Sequence, residues 1–266
     1  MRFSTFHTHT CYSDGKNTPE EMLTAAIAKG FAGYGFSDHS FTPCDTSYCM
    51  KLERYPEYIS CINGLKEKYA GQIEVLCGIE NDYYSDTDPE DFDYMIGSVH
   101  YLVIGGTCYP IDHSERQQRE CIAKECGGSA VEMAKRYYEK VAEHIRRTKP
   151  EIVGHFDVIT KFGVIDETSE EYRRAALEAA DEALNYTRIF EVNTGAISRG
   201  YKKLPYPSDF ILRRVLERGG DVILSSDTHS AATIDTFFPE SVELLRGIGF
   251  RRLAVMTANG VGYTGI

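Results

Sequence analysis

Short apolar runs alternate with longer segments of helical spacing along the whole chain. The first run, Arg2-Phe3-Ser4-Thr5-Phe6, alternates polar and apolar positions and predicts a strand. Thr18-Pro19-Glu20-Glu21 then opens a helix. Thr18 is a good N-cap, Pro19 fits the first helical position, Glu21 completes a capping box and Gly30 is the stop. Further strands are predicted at 31–36, 73–79, 94–99, 151–154, 188–193 and 221–226, with a last one at 253–256. Helical spacing covers 55–70, 129–147, 168–185, a segment that Ser208 caps and Gly219-Gly220 ends, and 239–247. Two segments follow neither period. Residues 81–93 form an acidic loop, and 105–128, flanked by glycine pairs, are long for a loop and read as an insertion that covers something. Strand and helix alternate about seven times, which implies parallel strands with helices outside, hence a barrel or a doubly wound sheet.

The polar residues that end these strands change the picture. His7 and His9 follow the first strand, two apart, so both imidazoles can converge on one point. Asp14 comes after a short turn. His39 follows the second strand. Asp38 beside it cannot face the same way, and His39 is taken as the inward one. Glu80, His100 and His155 follow the next strands, and Asp227 and His229 repeat the spacing of His7 and His9. Six of the eight histidines are placed so; the others are His113 and His144, the latter on a helix with a surface pattern. In a parallel barrel these strand ends share one face, where active sites are built. Imidazole and carboxylate donors without thiolate suit zinc, manganese or iron, and nine of them exceed the needs of one ion. Asp157, two after His155, is expected only to orient a neighbour.

Composition narrows the class. The 266 residues, 42% hydrophobic, suit one domain over 1–266. A net charge of −11 argues against nucleic acid as a partner, since phosphate backbones need a Lys and Arg excess. The chain opens without a basic segment leading into an apolar one, and no stretch reaches the roughly 18 apolar residues of a membrane span. A cytoplasmic protein without a membrane role is expected. The eight cysteines stand at irregular spacings and are expected to be free thiols, with Cys121 and Cys126 as bystanders.

These motifs together resemble the PHP (polymerase and histidinol phosphatase) superfamily. The carriers are His7-Thr-His9, Ser13-Asp14-Gly15, Ser37-Asp38-His39, Gly78-Ile79-Glu80, Gly97-Ser98-Val99-His100, Gly154-His155-Phe156-Asp157 and Ser226-Asp227-Thr228-His229, which span the chain in the family's order. Within it the chain most resembles the histidinol-phosphatases. That likeness rests on Tyr101 after His100, Tyr109-Pro110-Ile111-Asp112, Glu191-Val192-Asn193-Thr194-Gly195 and Tyr206-Pro207-Ser208. The resemblance implies an α/β fold, a distorted (β/α)7 barrel of PHP type, with a trinuclear centre of manganese, zinc or iron. By motif, His7, His9, Glu80 and Asp227 would hold one metal. Glu80 would bridge to a second on His100 and His155, and Asp14, His39 and His229 would hold the third. Thr228 stands where the family usually has a small residue, and Ala196-Ile197-Ser198-Arg199-Gly200 is looser than the family's basic stretch.

The expected reaction is hydrolysis of a small phosphate monoester, L-histidinol phosphate by the resemblance. A hydroxide bridging two metals would attack in line, with Asp227 or a water beside His229 protonating the leaving alkoxide. Lys161 and Arg199, just past strands on the same face, could clamp phosphate oxygens. The insertion at 105–128 and the loop at 81–93 are the segments expected to select the leaving group. Competing readings are a PHP phosphoesterase for nucleotides or other small phosphates, an amide or ring hydrolase on a related barrel, and a metal-binding module without turnover. The hydrolase would want a lysine at a strand end, which the chain lacks. The intact donor set argues against the inert module. Metal identity and oligomeric state are not fixed by sequence.

Overall fold

The computed structural model describes residues 2–87 and 89–266; Asp88 of the acidic loop lies outside them. In chain order come β1 (Ser4–Thr5), β2 (Gly33–Phe36), β3 (Glu74–Asp82) and β4 (Tyr94–Ser98), then a hairpin of β5 (Tyr101–Ile104) and β6 (Thr107–Pro110). Next are β7 (Ile152–Val153), β8 (Ile189–Asn193) and β9 (Asp221–Ser225), and last a second hairpin, β10 (Arg252–Thr257) and β11 (Gly260–Gly265). Seven of these strands form one sheet in the order β1-β2-β3-β4-β7-β8-β9, every pair parallel. Its edges meet: Thr8 and Thr228 form a parallel bridge, and the His9 amide donates to the Thr228 carbonyl at 2.9 Å. The result is a nearly closed barrel, one of the two architectures that the alternation allows and the one that the family resemblance implies.

The helices are α1 (Pro19–Ala28), α2 (Tyr55–Lys68), α3 (Glu115–Glu125), α4 (Ala130–Thr148), α5 (Glu170–Ala183), α6 (Gly195–Ser198), α7 (Asp209–Glu217) and α8 (Phe238–Ile248). The α1 capping box is present as expected, with Thr18 accepting from the Glu21 amide and Glu21 reaching back. The outward residues of the strands, such as Val75, Cys77 and Ile79 of β3, pack under these helices in the larger core.

The inward residues form a second, smaller core: Phe6, Leu76, Tyr94, Ile96, Ile152, Ile189 and Ile223, capped by Ala254 and Met256 of β10. Tyr94 fills the middle. Its hydroxyl donates to the Phe6 carbonyl at 2.6 Å, with the Phe36 carbonyl at 3.0 Å. It fits because Gly35 and Gly78 flank it; a Cβ on either would collide with its ring or hydroxyl.

Four expectations need correction. The run at 253–256 is a strand, but it belongs to the closing hairpin rather than to the barrel. A strand's period cannot say which sheet it joins. Residues 105–128 are not an irregular insertion: they hold half of the β5–β6 hairpin, turned at Gly105-Gly106, and then α3. Ser208 stands at the N-cap position of α7, but its side chain makes no cap hydrogen bond; its hydroxyl is held instead by the buried Asp157 carboxyl at 2.6 Å and the half-buried Glu167 carboxyl at 2.7 Å, which draw it away from the first helical amides. His144 is fully buried rather than on a surface, its Nε2 2.9 Å from the Asn81 carbonyl. Burial pushes its pKa down to about 4.

Candidate metal centre

Strand alternation explains where the polar groups lie. In β3, Leu76, Gly78 and Glu80 share the inward face, so the same row that starts in the apolar core ends in a carboxylate. β8 repeats this with Ile189 and Glu191, and β9 with Ile223 and Ser225, then Asp227 just beyond its end. The chain turns sharply at Asp227, whose φ of 45° lies in the left-handed region. That turn brings Thr228 back to Thr8 and closes the barrel beside the carboxylate. The Thr228 hydroxyl is absorbed by the Ser230 carbonyl at 2.7 Å and the Thr233 hydroxyl at 2.6 Å, so the bulkier residue at this position is accommodated.

Glu80 is the hub. Its Oε2 lies 2.7 Å from His39 Nδ1, 3.2 Å from His7 Nε2 and 3.7 Å from His9 Nε2. Its Oε1 lies 2.9 Å from His155 Nε2 and 3.3 Å from His100 Nε2. Asp227 Oδ1 is 3.2 Å from His9 Nε2 and 3.9 Å from His7 Nε2. Asp14 Oδ1 is 3.2 Å from His229 Nε2 and 3.7 Å from His39 Nε2, while the His9 ring stacks between His39 and His229 at 4.2 Å from each. All nine residues named from the sequence therefore meet. Donor atoms close enough to share an ion form four sets: His9, Asp14, His39 and His229; His7, Glu80 and His155; His7, His9 and Asp227; and His39, Glu80 and His100.

Parity decided Asp38 against His39 correctly. Asp38 turns away and accepts from the Thr10 amide and hydroxyl and from Ser13, while His39 faces Glu80.

The donors fit divalent cations. His7 Nε2, both ring nitrogens of His9 and Glu80 Oε2 are buried and make no hydrogen bond among the described residues. Buried polar atoms are seldom left so, and an ion is what nitrogen and carboxylate donors at this spacing would satisfy. The electrostatics agree. Burial opposes ionisation of Glu80, but His7, His39 and His100 hold its pKa well below the ordinary value. Burial likewise opposes Asp227, and Arg199 and His7 outweigh it. Burial lowers His9, with His229 and His39 adding to the effect, so it stays a neutral donor. Burial would also lower His7, yet Glu191, Glu80 and Asp227 raise it.

Three further residues stand around the cluster: Glu191 and Asp112, which enter the sequence reading only within motifs and without a role, and Asp82, which it does not single out. Glu191 Oε1 lies 2.6 Å from His7 Nδ1, and its Oε2 accepts from the His155 amide at 2.8 Å and Asn193 Nδ2 at 2.9 Å. With Nδ1 donating to Glu191, His7 turns the lone pair of Nε2 toward Glu80 and Asp227. Asp82 Oδ2 does the same for His100 Nδ1 at 3.2 Å. Asp112 accepts Lys161 Nζ at its carbonyl, 2.6 Å away, with the carboxylate at 3.5 Å.

A cavity of about 340 Å³ opens over the cluster. Lys161 and Arg199 both line it, as expected. Arg199 donates to Asp227 Oδ2 at 2.9 Å and to the Asp227 carbonyl at 3.1 Å. Of the two segments expected to select the leaving group, 105–128 contributes Asp112 and His113 to the wall. The described part of 81–93 contributes nothing, and Asp45, Ser47 and Tyr48 of the preceding loop stand there instead. Its residues turn toward α4 and β4 rather than to the cavity, as when the Tyr83 amide donates to the Ser98 carbonyl.

Comparison with known proteins bears on this arrangement. The family described as PHP domain matches residues 5–195. The chain is similar to a probable histidinol-phosphatase of Deinococcus radiodurans, 31% identical over 258 residues, which cover 93% of this chain and 94% of that protein. It is similar to the histidinol-phosphatase of Bacillus subtilis, 26% identical over 252 residues, 86% of this chain and 93% of that one. The fold is similar to that of a histidinol phosphate phosphatase from Lactococcus lactis subsp. lactis, crystallised with zinc, L-histidinol and phosphate. The TM-score is 0.75 at 21% identity, over 98% of this chain and 99% of that one.

Proposed function

The chain belongs to the PHP domain family, and on that premise we propose that it hydrolyses L-histidinol phosphate to L-histidinol and phosphate. One observation carries the reading: buried imidazole nitrogens without hydrogen-bond partners among the described residues converge on the Glu80 and Asp227 carboxylates under a cavity that also holds Lys161 and Arg199. The names of the relatives in D. radiodurans and B. subtilis support the same substrate.

Two or three divalent ions of manganese, zinc or iron would be held as the motifs suggest. His7, His9, Glu80 and Asp227 would take one, Glu80 with His100 and His155 a second, and Asp14, His39 and His229 a third. When bound, such ions lend positive charge to the phosphoryl oxygens and make a water more acidic. Arg199 and Lys161, each already lying along the cavity wall, bind the non-bridging oxygens and set the phosphorus in line. Asp227, ionised at rest, takes the proton of the attacking water and returns it to the leaving alkoxide, with His229 orienting it. Glu191 and Asp82 hold the His7 and His100 rings so that their free nitrogens face inward. As an enzyme of histidine synthesis, the role that the resemblance to histidinol-phosphatases implies, it would work in the cytoplasm, where its eight free cysteines would stay reduced.

The test is phosphate release by manganese-loaded protein from L-histidinol phosphate, set against nucleotides and sugar phosphates, with His100→Ala as the control. Strong preference for L-histidinol phosphate, abolished in His100→Ala, is the expected result. Preference for another monoester would remove the substrate and keep the chemistry. No release from any ester by metal-loaded protein would overturn the phosphatase reading.

A further inference from the structure

One part of the cavity wall carries no metal donor. It is made by Asp45, Ser47 and Tyr48 from the loop after β2, Tyr101 from β5, and Asp112 and His113 after β6. The rings of Tyr48 and Tyr101 lie nearly parallel, 27° apart with centroids at 6.3 Å. Tyr48 also stands edge-on to His39 at 4.8 Å, so this aromatic wall adjoins the donor cluster directly.

The charges on this wall do not balance. Asp45 and Asp112 are both carboxylates, and Lys161 is the one cation beside them among the described lining residues. Arg199, the other cation of the cavity, is engaged by Asp227. The Asp45 carboxylate accepts the Ser47 amide at 2.8 Å, its one hydrogen bond among the described residues, and Asp45 lines the cavity. The neighbouring phenols feel the same field. Burial first, and then Asp82 and Tyr101 for Tyr48 or Asp45 for Tyr101, raises the pKa of both, so neither ionises near neutrality.

A phosphoryl group is repelled by such a wall and drawn to Lys161, Arg199 and the donor cluster. An ammonium group meets the opposite conditions: two carboxylates at hand, and tyrosine faces that favour a cation laid against them. We propose that Asp45, Asp112 and the Tyr48–Tyr101 pair form the leaving-group subsite, selecting phosphate monoesters whose alcohol carries a protonated amine. The assignment rests on the phosphatase reading above and adds the residues that tell one monoester from another. Asp112 holds Lys161 toward the phosphate with its carbonyl at 2.6 Å and Oδ2 at 3.5 Å, and offers its other carboxylate oxygen to the amine. Asp45 fixes the far side of the cation.

The experiment compares kcat/KM of manganese-loaded wild type, Asp45→Asn and Asp45→Lys for L-histidinol phosphate and for phenyl phosphate, whose leaving group carries no amine. The expected loss on the cationic ester is roughly tenfold in Asp45→Asn, carried by KM, and larger in Asp45→Lys. The loss on phenyl phosphate should be at least fivefold smaller than that roughly tenfold effect in each variant. Thermal melts of the three proteins check that folding is shared, since Asp45 lies on a loop. Equal losses on both esters, or none on either, would overturn the subsite while leaving the phosphatase reading intact. Wild type inert toward both esters would overturn that reading and the subsite with it.

Discussion

At the amino end of the barrel strands, Ala254 and Met256 of the closing hairpin lie against Ile152, Ile189 and Ile223 in an apolar layer. At the carboxyl end of the same strands, six imidazoles and the carboxylates of Asp14 and Asp227 crowd around Glu80 with ring nitrogens left unpaired among the described residues. The two ends share one inward-facing row of side chains, and moving up a strand by two or four residues crosses from one to the other. Ile189 gives way to Glu191, Leu76 to Glu80, and Ile223 to Asp227. Packing is lodged at one end and chemistry at the other, so each can be perturbed alone. Buried polar groups short of partners destabilise a fold, and the sealed end is what offsets them.

The sharpest break between the ends should come from Glu80→Ala. Five imidazoles lie within 4 Å of that carboxylate, so kcat/KM for the preferred monoester should fall by at least about 10³-fold, or ~4 kcal/mol. Chelator-treated Glu80→Ala should melt at the midpoint of chelator-treated wild type, since neither then gains stability from bound ions. Retention of a tenth of the activity would mean that Glu80 is not the hub. Ile223→Ala tests the other end. Urea unfolding should show a loss of about 3 to 4 kcal/mol, with turnover per folded molecule unchanged; a fall in turnover instead would join the two ends functionally.

His144 belongs to neither end and sharpens the contrast among histidines. Its folded pKa near 4 lies below the unfolded value, so the unfolded chain binds the extra proton between the two. The neutral ring's contribution is complete above about pH 6.5 and is lost as pH falls toward 4, by roughly 3 kcal/mol. Unfolding free energy followed from pH 7 to 4 should therefore slope less in His144→Gln than in wild type. An unchanged slope would assign the acid sensitivity to other groups. The smallest effect is expected at Glu191. Glu191→Leu should weaken metal binding about 10- to 100-fold in a chelator competition, and Glu191→Gln, which keeps an acceptor for His7 Nδ1, should recover most of it. Equal losses in both would reduce Glu191 to a space-filling part.

The donors at strand ends were legible because two simple periods coincide there. An apolar run that stops at a histidine or carboxylate marks a strand end, and the two-residue repeat says which neighbour faces inward, as with Asp38 and His39. Glu191 was not legible in that way, since it sits inside β8 where a strand-end search does not look. It does follow Ile189 by two, and that spacing would have found it. Asp45 and Tyr48 were hidden for a different reason. Their loop has no period, and only the folded chain brings it beside β5. The closing hairpin was half legible: its strand was seen, but its place across the barrel depends on contacts with Ile152 and Ile223 that no local pattern encodes.

Tyr94 with Gly35 and Gly78 carries a consequence for how such sequences diverge. A side chain at either glycine is barred while the tyrosine is present. Shrinking the tyrosine first leaves a hole and strips the Phe6 and Phe36 carbonyls of their donor. Each single step passes through a weaker protein, so the three positions form a ratchet. Across lineages they should be inherited as a block or exchanged together, and a library that varies them one at a time should return the starting residues.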